Sequence, residues 1–130
     1  MGDTKPLKTT KTPNKMAAHN ELGQKGEDRA VEFLSAKGFK IICRNWHFRH
    51  KEVDIVALDA GVLVFVEVKT RSAFSSPNDV ISYSKVRFLE EAAEAYIRQY
   101  NFQGEARFDV VLLTKKAGCF DIMHIPAAFR

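Results

Sequence analysis

The sequence is poor in cysteine: Cys43 and Cys119 stand far apart, with no C-x-x-C pair and no Cys/His cluster at zinc spacing. A disulfide-stapled fold is excluded, and the two thiols read as reduced and partly buried in a reducing cytoplasm. His47-x-x-His50 is no better as a metal signal, because that spacing turns the two rings to opposite faces of a strand. Long apolar runs are also missing. The longest unbroken aliphatic and aromatic stretch is Val62–Val66, against the roughly 18 residues a spanning helix needs. No apolar h-region follows the N-terminal lysines, so the expectation is a soluble, unexported, cytoplasmic protein with no membrane partner. There is no internal repeat.

What is present suits one folded domain. In 130 residues, 45% are apolar, 11% aromatic and 28% charged, enough to build a core without a structural metal. The net charge of +4 is concentrated at the N-terminus, where Lys5, Lys8, Lys11 and Lys15 face Asp3 alone. Residues 1–18, rich in Lys, Thr and Pro, read as a disordered basic tail, and residues 19–130 as a single domain. Whole-chain basicity is therefore a weak argument for nucleic acid. Inside the domain, Lys37, Lys40, Arg44, Arg49 and Lys51 occur with no acid among them, and with His47 and His50 they form a local basic strip.

Periodicity orders the elements. Leu22, Gly26, Ala30, Phe33 and Leu34 share a face of a helix over about 20–37, which Gly38 stops. Phe39–Trp46 reads as a strand followed by a basic loop through Lys51. Val53–Leu58 and Val62–Lys69 read as a hairpin about Ala60-Gly61. Ser76-Pro77-Asn78-Asp79 has the form of a helix start, and Leu89, Ala92, Ala93, Tyr96, Ile97 and Tyr100 recur behind it at helical spacing. Two further strands, Arg107–Leu113 and Phe120–Ile125, flank an Ala117-Gly118 turn. The order α-β-β-β-α-β-β predicts an α/β domain with a mixed sheet flanked by helices.

The hairpin sets up the chemistry. A two-residue loop makes cross-strand partners sum to 121, so Asp54 is expected opposite Glu67. Glu67 and Lys69, two apart on one strand, project from the same face about 7 Å apart. Two opposed carboxylates among Val, Ile and Leu repel each other and lose hydration, which calls for a cation. Lys69 is one candidate; Mg²⁺ or Mn²⁺, which suit hard oxygen ligands, is the better one. Glu27, at the edge of the helix face beside Gly23 and Gly26, is the third acid in reach, directly or through water. Thr70, Arg71, Ser72, Ser75 and Ser76 add hydroxyls and a guanidinium next to it. Lys85 lies early in a helix, where the dipole disfavours a cation, and an anionic partner such as a phosphate would account for it. Tyr83, Trp46 and Phe48 are available to stack on bases, with core packing the readier use of Trp46.

These residues carry a resemblance. Asp54 followed by Glu67-Val68-Lys69 is similar to the D…(D/E)-x-K signature of the PD-(D/E)XK nuclease superfamily. Gly23-x-x-Gly26-Glu27, Arg44-Asn45-Trp46, Glu52-Val53-Asp54-Ile55-Val56-Ala57, Val64 to Arg71 and Arg107-Phe108-Asp109-Val110-Val111 resemble the small bacterial YraN-like family over about residues 20–126. The resemblance implies a restriction-endonuclease-like, Holliday-junction-resolvase-like core, and it carries metal-site roles to Glu27, Asp54, Glu67 and Lys69. The chain departs from the usual pattern at Lys51, where a Gly usually precedes Glu-x-Asp, and at Ser75-Ser76, where Phe-Gly usually precedes the Pro.

The leading expectation is a Mg²⁺- or Mn²⁺-dependent nuclease hydrolysing phosphodiester bonds in DNA, with branched or damaged DNA as the substrate class. Asp54, Glu67 and Glu27 would bind metal, Lys69 would assist the nucleophile, and Arg44, Arg49, Lys51, Thr70, Arg71 and Lys85 would contact nucleic acid. Symmetric cleavage of a junction needs two sites, which points to a two-fold homodimer. The competing readings are a non-catalytic nucleic-acid-binding module on the same fold, whose binding falls with salt but ignores metal, and a scaffold whose acids form structural salt bridges.

Overall fold

The computed structural model describes residues 15–72 and 81–129, with side chains in the first helix described from Glu21 onward. The elements are α1 (Lys15–Ala36), β1 (Lys40–Phe48), β2 (Lys51–Asp59), β3 (Val62–Arg71), α2 (Tyr83–Tyr100), β4 (Ala106–Lys116) and β5 (Cys119–Phe129). Their order is the expected α-β-β-β-α-β-β. The strands form one five-stranded sheet in the order β1-β2-β3-β4-β5, antiparallel throughout except for the parallel pair β3–β4. α2 lies in the crossover that a parallel pair requires.

Alternation along β3 divides the core in two. Val64 and Val66 point to one face and pack with Ala30 and Leu34 of α1, Ile55 and Ala57 of β2, and Val111 and Leu113 of β4. Leu63 and Phe65 point to the other face and pack with Leu89, Ala92, Ala93 and Tyr96 of α2. The result is a helix, sheet, helix sandwich. α1 comes closest to the sheet at Gly26: a Cβ there would fall inside the Thr70 side chain, with Thr70 Cβ and Cγ2 only 2.9 Å away. Gly23, also expected to permit close approach, has nothing within 4 Å of such a Cβ and faces open space.

All three hairpins turn in two residues. Ala60 and Gly61 take φ of 51° and 87°, the left-handed pair that matches strand twist. The five observed β2–β3 pairs, from Asp59↔Val62 to Ile55↔Val66, all sum to 121. The basic loop expected after Trp46 is instead a hairpin turn. β1 runs on to Phe48, which pairs with Lys51, and Arg49 adopts φ 59°.

Helix boundaries differ from the spacing. α1 begins at Lys15, ahead of the apolar periodicity, because Met16, Ala17 and Ala18 are good helix formers that need no buried face to extend the backbone. α2 begins after an N-cap at Ser82, whose Oγ accepts the Lys85 amide at 3.2 Å. The expected start at Ser76-Pro77-Asn78-Asp79, with Ser75, lies outside the described residues. α2 closes on Asn101 in the left-handed region, as Gly38 closes α1.

Candidate functional site

A local break in strand alternation, with the register kept on either side, builds the site. Arg44 pairs with Ile55 and Trp46 with Val53, while Asn45 and Asp54 between them are unpaired. Ile55 belongs to the α1-side core, yet Val53 and Val56 both belong to the α2-side core, so the inside–outside alternation of β2 is broken at Asp54. Asn45, at φ 53°, marks the same break in β1. The β2–β3 ladder stops one residue earlier, at Ile55↔Val66. Asp54 is therefore not the ladder partner of Glu67 that the hairpin arithmetic predicts. Its Oδ2 instead accepts the backbone amide of Val68 at 2.7 Å.

Glu67 and Lys69 follow Phe65 on the α2 face of β3 by alternation, as expected. Glu67 is 3% exposed, and its two oxygens are bracketed by ammonium groups. Lys69 Nζ stands 3.4 Å from Oε2, and Lys85 Nζ, from the first turn of α2, stands 3.4 Å from Oε1. Oε1 makes no hydrogen bond despite that neighbour, so the contact is electrostatic and off the lone-pair direction. Burial, together with the adjacent Glu67 charge, pushes the Asp54 carboxyl up to about 8; the Val68 amide and Lys85 act the other way. The anion that sequence reasoning sought for Lys85 in a phosphate is, within the folded chain, Glu67.

Glu27 is positioned on the other face. Arg44 Nη2 donates to its Oε1 at 2.8 Å and Asn45 Nδ2 to its Oε2 at 3.0 Å. Both carboxylate oxygens are thus engaged, and Glu27 does not join Asp54 and Glu67 as a third direct ligand. Among the described residues no group of three or more His, Cys, Asp or Glu comes together to hold a metal. Glu27 does share a cavity of about 250 Å³ with Asn45, Asp54, Thr70 and Arg71. Asp54, where the alternation breaks, therefore faces both this cavity and Glu67.

A divalent ion fits the Asp54–Glu67 pair. Mg²⁺ retains several waters and is commonly held through one or two carboxylates, and Glu67 Oε1 is a buried oxygen without a donor. Two buried acids whose charges oppose each other gain from a cation shared between them.

The basic strip is largely paired off. Arg44 also bonds Asp28 Oδ1 at 2.7 Å, Arg49 bonds Glu91 at 2.9 Å, and His47 bonds Glu52 at 2.9 Å. Within the folded chain Arg44 and Arg49 are thus ion-pair partners of Glu27, Asp28 and Glu91. Lys51 lies over the Phe88 ring at 5.7 Å, and Arg71 Nη1 donates to the Thr70 carbonyl. Thr70 is buried against Gly26, with its contact to α1 as its clear role. Trp46 and Phe48 stack on each other and pack in the α2-side core, while Tyr83 is exposed. Cys43 is half-buried and Cys119 exposed, where partial burial of both was expected.

One cluster escaped the sequence reading. Asp109 is wholly buried and receives Arg107 Nε at 2.9 Å, the Ala127 amide at 3.0 Å and a bond with His124 Nε2 at 2.8 Å. Arg107 continues to Asp59, and Lys37 Nζ reaches His124 Nδ1 at 2.8 Å. Burial works to raise the Asp109 carboxyl, but Arg107, His124 and the Ala127 amide outweigh it and hold it below the usual range. An acid immediately ahead of Val110–Leu113 was the available signal.

Fold and site together define a class: an α/β/α sandwich with a carboxylate and lysine cluster where two central strands part. Within that class the chain belongs to the uncharacterised protein family UPF0102, whose family model matches residues 26–113. A UPF0102 protein of Flavobacterium psychrophilum is 43% identical over 116 residues, covering 88% of this chain and 98% of its own length. One from Flavobacterium johnsoniae is 45% identical over 120 residues, with 88% and 98% covered, and one from Parabacteroides distasonis 42% over 116, with 88% and 96%. No helix among the described residues is long and apolar enough to cross a membrane.

Proposed function

We propose that this chain is a Mg²⁺- or Mn²⁺-dependent nuclease of the PD-(D/E)XK type that hydrolyses phosphodiester bonds in DNA, branched or damaged duplexes being its substrate class, in the cytoplasm. The observation that carries this reading is the nearly buried Glu67 carboxylate, set beside Asp54 and flanked by Lys69 at the point where β2 leaves β3. Asp54 and Glu67 would hold the ion. When bound, it would polarise the phosphodiester and favour ionisation of a water. Lys69 would steady the attacking hydroxide or the developing phosphorane charge. Glu27 acts across the cavity through water, held in place by Arg44 and Asn45. Arg71, Lys51 and Lys85 are the cations left near the site for phosphates. A two-fold dimer would supply the two sites that symmetric junction cleavage needs.

The test is cleavage of labelled four-way junction, flap, duplex and single-stranded DNA, and RNA, in Mn²⁺, by the wild type and by Glu67→Ala and Lys69→Ala. The expected result is cleavage of a DNA substrate by the wild type and a loss of roughly a hundredfold or more in both variants, with folding retained. The second reading, a non-catalytic nucleic-acid-binding module, is favoured by the two lysines that already neutralise Glu67 without a metal. Equal, salt-sensitive binding by all three proteins with no cleavage would replace the nuclease with that module.

A further inference from the structure

We propose that Lys85 is the resident counter-cation of the carboxylate pair, and that a divalent ion binds Asp54 and Glu67 only by displacing it. This rests on the metal-binding reading of the same two acids.

Three observations single out Lys85. Its ammonium stands 3.4 Å from Glu67 Oε1, the buried oxygen that makes no hydrogen bond, so it holds by charge alone the position from which a metal would bind that oxygen. It does so from the first turn of α2, where the amides of the helix start already present positive charge; the Glu67 contact offsets an unfavourable placement and leaves little to lose on departure. Phe88, one turn further along α2, puts its ring 5.3 Å from Lys85 Nζ, a face that keeps the ammonium at the rim once Glu67 is taken. Lys51 overlies the same ring at 5.7 Å. Lys69 is placed differently. It faces the other oxygen, Oε2, at 3.4 Å, and so stands away from the position at Oε1 that a metal would take.

Charge closes the argument. With Lys69 and Lys85 both in place, two ammoniums stand against at most two carboxylate charges, and a divalent ion would leave the nearly buried cluster with a positive excess. Release of one ammonium lowers that excess by one charge, and Lys85, facing the oxygen that makes no hydrogen bond, is the one in the ion's way. The released ammonium then stands beside the ion, where a phosphate would meet it.

The experiment is Mn²⁺ binding to the full chain by calorimetry, without nucleic acid, for wild type, Glu67→Gln, Lys85→Met and Lys85→Arg. Melting curves verify the fold, and Lys85→Gln substitutes if the Met variant does not fold. The expected result is Glu67-dependent binding in the wild type, about tenfold tighter in Lys85→Met because the competing charge is gone, and unchanged within about threefold in Lys85→Arg. Equal or weaker binding by Lys85→Met, with wild-type binding still dependent on Glu67, would overturn the displacement while leaving the metal reading in place. No Glu67-dependent binding in any of the proteins would overturn both.

Discussion

The amide of Val68 donates to Asp54 Oδ2 at 2.7 Å, so a side chain of β2 takes a β3 amide just beyond the last ladder pair, Ile55↔Val66. That bond holds Asp54 at the parting of the strands, next to Glu67, and burial and the Glu67 charge keep its proton on into mildly alkaline solution against the pull of the amide. An acid whose folded pKa is raised keeps its proton in the native state after the unfolded chain has lost it. Its contribution to stability therefore falls as pH rises from the ordinary 3.8 through about 8, and levels off above. Asp54→Asn, which fixes the neutral form, should stabilise the protein on the order of 1–2 kcal/mol more at pH 8.5 than at pH 5. Urea unfolding at the two pH values checks this, and an equal effect at both would be the contrary result.

Gly26 is required by the Thr70 side chain rather than by its backbone angle. Gly26→Ala should cost about 1–3 kcal/mol, since a methyl there drives α1 off the sheet and displaces Glu27 with it. In a Thr70→Ala background the cost should be smaller, because Cγ2 and Oγ1 are no longer in the way. A double-mutant cycle by thermal melting measures the difference, and strict additivity would argue against the contact.

Asp109 gathers Arg107, His124 and the Ala127 amide at a position without solvent access. Asp109→Ala leaves Arg107 and a buried imidazole short of their partner and should destabilise by about 3–5 kcal/mol. Because the folded carboxyl lies below its ordinary range, the stability it confers is present above about pH 4 and is lost as pH falls through the folded value. Acid unfolding of the wild type, set against the variant's flatter profile below pH 4, tests this.

Arg44 and Arg49 look alike in the sequence and differ in the fold. Arg44 serves Glu27, whose side chain is 10% exposed, whereas the Arg49–Glu91 pair is 66% and 41% exposed. Arg44→Met should therefore cost about 1–2 kcal/mol by leaving a buried carboxylate short of a donor, and Arg49→Met no more than about 0.5 kcal/mol. Chemical denaturation of the two variants separates these roles.

The sequence by itself determined the element order, both helix faces, the two-residue turn at Ala60-Gly61 and the placing of Glu67 and Lys69 on one face. These follow from local periodicity and turn chemistry, which a short window contains. Only the tertiary structure decided the rest. The break in alternation at Asn45 and Asp54 occurs in two strands at once with the register kept, and no period-2 pattern read from one of them reports it. The partners of Arg44, Arg49 and Lys85 come from elements 16 to 42 residues away, so a strip without acids in the sequence becomes a set of ion pairs in the fold. The Asp109 network joins β2, β4, β5 and Lys37, just past the end of α1, in the same way. Charges act through space, and their partners are chosen when the layers pack.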